Sequence, residues 1–161
     1  MAQGKLRAAS LAYETARDHL SYQHIARQTL DMKLTAVFAT SGGILAVLSA
    51  FASISVDSLS SGAIGLIVFS ALCFVAVVLK SLGAFQAMPF ISLTWENVEE
   101  INTSDYDEVE VLWKAARTMH AANNENEGVL RAKKNALTYT SWAFALQALA
   151  LTAAALLTLS D

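Results

Sequence analysis

One cysteine, Cys73, and one proline, Pro89, are all that 161 residues contain of either type. A lone thiol excludes a disulfide within the chain, and its place inside an apolar run suits a small apolar filler. With one proline, most of the chain lacks the residue that removes a backbone donor and breaks a helix. Charge is scarce as well: Asp, Glu, Lys and Arg make up 16% of the residues, against about 25% in ordinary soluble domains. No P-loop, GxGxxG or GxSxG motif occurs. The histidines, His19, His24 and His120, are not spaced as a metal set. No catalytic group, metal or cofactor is therefore expected, and the chain does not read as an enzyme.

What the chain has instead is apolar length. Its hydrophobic fraction is 55% and its mean hydropathy +0.42. The excess lies in three blocks, Leu34 to Val56, Gly62 to Leu79 (resuming after Lys80 towards Met88) and Ala136 to Leu159. At helical rise these blocks run roughly 27 to 36 Å, enough to cross a hydrocarbon core of about 30 Å. A soluble helix would interrupt such runs with charge on its wet face. The expected fold class is an all-α membrane protein: three transmembrane helices with long cytoplasmic helical extensions. The expected divisions are a cytoplasmic amphipathic helix over 1–33, a transmembrane hairpin over 34–88 (spans about 34–56 and 62–88), a cytoplasmic connector and helix over 89–135, and a third transmembrane helix over 136–161. No signal peptide is apparent ahead of the first block.

All eleven Lys and Arg residues precede the first block or lie between the second and third. The loop between the first two blocks and the tail after Leu159 have none. Membrane topology follows Lys and Arg counts, so the N-terminus and the 80–135 region are expected in the cytoplasm and the C-terminus outside. Acidic residues outnumber basic ones within 80–135, which argues against a polybasic lipid anchor or nucleic-acid binding.

In the N-terminal segment Leu6, Ala9, Tyr13, Ala16, Leu20, Gln23, Arg27, Leu30 and Leu34 recur at alternating spacings of three and four, a heptad-like seam. With no Pro or Gly between Lys5 and Ser41, this helix is expected to run straight into the first span. Asp31 and Lys33 would then sit at the membrane surface, either as a solvated interfacial pair or in a specific role between helices. Pro89 is expected to close the second span, with a short helix near Trp95 to Ile101. Ser104 with Asp107 resembles a capping box that opens a long helix, roughly 80 Å if it continues through the third span. Gly128 is the one residue placed to kink it.

Two stripes mark that helix. Val109, Leu112, Ala116 and Met119 are apolar and suit packing against the N-terminal helix. Trp113, Arg117, His120, Asn124, Glu127, Arg131 and Lys134 share another face. Arginine can fork a phosphate and tryptophan can stack on a base, so Trp113, Arg117, His120, Asn124, Arg131 and Lys134 are candidate ligand-binding residues. Glu127 would repel a phosphate, and a solvated helix face is the plainer explanation. Within the spans, small residues (Ser41, Gly42 and Gly43; Gly62, Gly65, Ser70 and Ala71; Ala143, Ala150 and Ala154) allow close helix approach. Gln147, near the middle of the third span, needs a partner across helices or a pore to line. Long helices with a seam favour a homo-oligomer.

The arrangement resembles the Pycsar transmembrane effectors of bacterial anti-phage defence. The resemblance starts where Leu30-Asp31-Met32-Lys33 runs into an apolar block, and continues through two spans to Pro89 and Phe90. It then passes through Ser104-Asp105-Tyr106 and Asn126 to the Arg131-Ala132-Lys133 run before a last span. SLATT-type membrane effectors share a similar plan. The resemblance implies an abortive-infection effector in the bacterial inner membrane. It would respond to a cyclic pyrimidine mononucleotide, cCMP or cUMP, by impairing membrane integrity. The alternative is a constitutive small oligomeric channel or membrane scaffold with no nucleotide input.

Overall fold

A computed structural model describes residues 2–55, 59–86 and 107–160. Among these, everything but Leu59, Ser60 and Asp107 is helical. Helix α1 is Ala2–Ser55, α2 is Ser61–Gln86 and α3 is Glu108–Ser160. The expected connector with Pro89, Phe90 and Trp95 to Ile101, and Ser104 with its neighbours, lie outside the described residues.

Local chemistry accounts for the helix starts. Ser60 caps α2: its Oγ accepts from the Ala63 N–H at 3.3 Å and its carbonyl accepts from Ile64 at 3.1 Å. Asp107 holds the same place before α3, its carbonyl accepting from the Glu110 and Val111 N–H groups at 2.8 and 3.1 Å. Glu108 and Glu110 in the first turn complement the helix dipole. Helix α3 thus begins at Glu108, directly after Asp107. It passes through Gly128 unbroken, and no described residue has a positive φ.

All three helices are long and apolar enough to cross a membrane. The residues form two units. The first holds α1 up to Thr29 and α3 up to Arg131; the second holds α1 from Leu30, all of α2, and α3 from Ala132. The second unit therefore begins at Leu30 and Ala132, a turn before the apolar blocks begin at Leu34 and Ala136. Within it α1 and α3 run parallel, since Asp31 meets Lys133 and Ser41 meets Gln147. Helix α2 runs antiparallel to α3, with Phe85 near Lys133 and Gly62 near Leu157.

The inner face of α3 is one heptad register. Leu112, Ala116, Met119, Asn123, Asn126, Leu130, Lys133, Leu137, Thr140, Phe144, Gln147, Leu151 and Ala154 follow one another by alternating fours and threes. Each is buried or half-buried. The seam of α1 likewise extends past Leu34 to Val37, Ser41 and Ile44. In α2 the buried residues are small: Ala63, Ser70, Cys73, Val77, Ser81 and Ala84. Opposite them Val68, Leu72, Val75 and Leu79 are at least half exposed. Such an apolar exterior suits lipid as the surrounding solvent.

The small residues divide in use. A Cβ on Gly42 would meet the Phe74 ring at 3.6 Å and one on Gly62 would meet Leu157 at 3.5 Å, whereas Gly43 and Gly65 face open space. Close approach between the spans thus rests on Gly42, Gly62 and the buried Ser41, Ser70, Ala150 and Ala154.

Candidate functional site

In the first unit, α1 and α3 pack through polar as well as apolar groups. The Gln23 Nε2 donates to the Asn123 carbonyl at 3.0 Å, and the Asn123 Nδ2 donates to the Ala16 carbonyl at 3.3 Å. Both amides are 3% exposed. Their oxygens, Gln23 Oε1 and Asn123 Oδ1, are buried without hydrogen-bond partners, at a cost of about 1–3 kcal/mol each. Beside this contact the helices part into an open groove of about 750 Å³, within the size range of small-molecule sites.

Alanines at 8, 12 and 16 of α1 and 116 and 121 of α3 leave this space because their side chains are too short to fill it. Polar and aromatic groups rim it: Trp113, Arg117, His120 and Asn124 from α3, Thr15 and His19 from α1. Four of the six candidate ligand residues thus come together. His19, which no spacing pattern links to them, joins from the other helix. Trp113 and Arg117 also border a second depression with Glu110 and Lys114, so they form a ridge between two concave surfaces.

Arg131 and Lys134 do not line the groove. The Arg131 guanidinium reaches Glu127 at 3.4 Å, and both side chains are exposed. The acidic residue that weighed against an anionic ligand is thus also outside the lining, paired with Arg131. Lys134 is exposed on the second unit.

The second unit holds two polar contacts among its apolar helices. Asp31 pairs with Lys133, whose side chain is 2% exposed against 31% for the carboxylate. The Lys133 ammonium also lies 5.9 Å from the Phe85 ring centroid, within cation–π range. Asp31 is therefore not a solvated partner of Lys33, which is exposed; it compensates a buried cation. Deeper, the Ser41 hydroxyl donates to Gln147 Oε1, and the Gln147 Nε2 donates to the Ser41 carbonyl at 3.1 Å. Both side chains are fully buried, so the amide in mid-span meets its partner within the same chain.

Lys133, Asn123, Asn126 and Thr140 were not among the candidate residues. The signal for them was present in the heptad spacing that starts at Leu112, but an apolar pattern search passes over polar members of a seam. Among the described residues, no group of three or more His, Cys, Asp and Glu side chains could hold a metal ion. Compared with protein-family models, with curated proteins and with solved structures, the chain matches none.

Proposed function

We propose that this chain is a ligand-gated membrane effector of the Pycsar kind. The groove of the first unit takes a cyclic pyrimidine mononucleotide, and its occupancy leads a homo-oligomer in the bacterial inner membrane to breach the bilayer. The single observation that carries the reading is the convergence of Trp113, Arg117, His120 and Asn124 on one groove, in a chain with three membrane-length helices. The chemistry suits such a ligand. Arg117 supplies charge-assisted donors to a phosphate, Trp113 (41% exposed) offers a face for a pyrimidine, and the Asn124 amide can bond its edge. The Lys and Arg distribution supports a cytoplasmic position for the groove, where a cyclase product would arrive.

Gating requires the nucleotide to prefer one arrangement of the helices over another. Helices α1 and α3 each contribute to both units without interruption, which gives a bound ligand a covalent route to the spans.

The test is calorimetric titration of the purified protein with cCMP and cUMP, paired with membrane-potential measurements in cells that do or do not make the nucleotide. Binding and ligand-dependent depolarisation are expected. Arg117→Ala should weaken both by about 10- to 100-fold, the equivalent of one charge-assisted hydrogen-bond pair. Arg131→Ala, whose guanidinium engages Glu127, should change them much less. Depolarisation that is equal with and without nucleotide, and no heat of binding, would favour a constitutive channel or scaffold instead.

A further inference from the structure

Lys80 is the one cation in α2, and its position is set by length. It stands nineteen residues after Ser61, about 28 Å along the helix and so close to one hydrocarbon thickness. On α3, Tyr139 and Trp142 are 64% and 68% exposed near the start of the third apolar block, where interfacial aromatics belong. The Lys80 ammonium lies 5.6 Å from the centroid of the Tyr139 ring. Beneath them α2 and α3 leave a groove floored by Gly83, Ala84, Ala132 and Ala136, with Asn135 at its edge.

We propose that this groove is a binding site for one anionic phospholipid. The headgroup phosphate is held by Lys80, Tyr139 and Asn135, and an acyl chain lies along the exposed Leu79 and the rest of the apolar flank of α2. Three observations select an amphiphile. The ammonium has three donors and the tyrosine ring occupies one side of it, leaving N–H groups for phosphate oxygens. The floor is of small side chains, so a headgroup can descend between the helices. The groove is also bordered by Leu79, which with Leu72 and Val75 of the same helix is at least half exposed, an apolar flank along which a lipid tail can lie. A soluble phosphate would gain a single ammonium in a largely aqueous setting, worth about 1 kcal/mol. The acidic balance of residues 80–135 rules out a diffuse polybasic attraction and leaves a built groove as the source of any preference. The inference does not depend on the nucleotide reading, since every residue that lines this groove belongs to the second unit.

Native mass spectrometry of the detergent-solubilised protein with phosphatidylglycerol, phosphatidylcholine or glycerol 3-phosphate tests it. One phosphatidylglycerol per chain should be retained, at least fivefold more tightly than phosphatidylcholine, and glycerol 3-phosphate should not displace it. Lys80→Gln should lower phosphatidylglycerol affinity about fivefold, the contribution of one interfacial cation. Gly83→Leu should lower it at least tenfold. A Cβ at Gly83 meets nothing within 4 Å, so the leucine side chain starts into open space in the groove, and unchanged ellipticity and melting temperature confirm that the variant folds. Equal retention of the two lipids overturns the proposal, as does undiminished phosphatidylglycerol binding in both variants. Displacement by glycerol 3-phosphate assigns the site to a soluble anion and equally overturns it.

Discussion

Replacing Asp31 by alanine removes the carboxylate opposite Lys133 and tests whether that pair holds α1 to α3 at the head of the spans. The two partners are unequal. Lys133 is 2% exposed and Asp31 is 31% exposed, so a lysine deprived of its carboxylate has little access to water, whereas an aspartate deprived of its lysine can hydrate. Breaking a buried ion pair by removing one partner costs about 3–5 kcal/mol. The Phe85 ring at 5.9 Å recovers a part of this for the ammonium, which places Asp31→Ala near 3 kcal/mol. Lys133→Met fills the same space with apolar atoms and leaves a hydratable carboxylate, at a cost of about 1 kcal/mol. The double variant should lie within about 1 kcal/mol of the parent, because a buried pair and a well-packed apolar substitute are often equivalent. Reversible unfolding by sodium dodecyl sulfate in mixed micelles, followed by far-UV ellipticity, measures all three. The asymmetry and the coupling are both diagnostic. Equal losses in the single variants, or losses that simply add in the double, would refute the reasoning.

Gln147→Leu removes both bonds to Ser41 and should lower stability by about 1–2 kcal/mol in the same unfolding assay, the upper range for polar contacts between membrane helices. Ser70→Ala should be neutral or stabilise by up to about 1 kcal/mol, because the Ser70 Oγ is buried without a partner; a clear loss of stability would mean that the hydroxyl is bonded. Gly128→Ala should raise the melting temperature, by the equivalent of about 1 kcal/mol of helix propensity, since a Cβ there meets nothing within 4 Å.

The polar side chains explain where the sequence was readable and where it was not. Hydropathy adds along the chain, so the blocks beginning at Leu34, Gly62 and Ala136 announced helices of membrane length without reference to any neighbour. The seam of α1 from Leu6 to Leu34 was equally legible, because its members are mostly apolar and regularly spaced. Lys133 was not, since one lysine among Arg131 and Lys134 looks like any other cation until a packed helix decides which of the three faces inward. The stripe from Trp113 to Lys134 was visible as a face, yet only its first four candidate residues reach the groove, while Arg131 turns to Glu127.

The sequence by itself determined the solvent and the secondary structure: lipid around the three apolar blocks, and helices through nearly all of the described residues. Both follow from properties that each residue carries alone, its transfer free energy and its helix propensity. Only the tertiary structure decided that Lys133, Gln147 and Asn123 point inward, that Asp31 and Ser41 answer two of them, and that His19 joins Trp113 and Arg117 around one space. Those outcomes depend on the rotation of one helix against another, which is fixed by packing over the whole seam and is not a property of any single position.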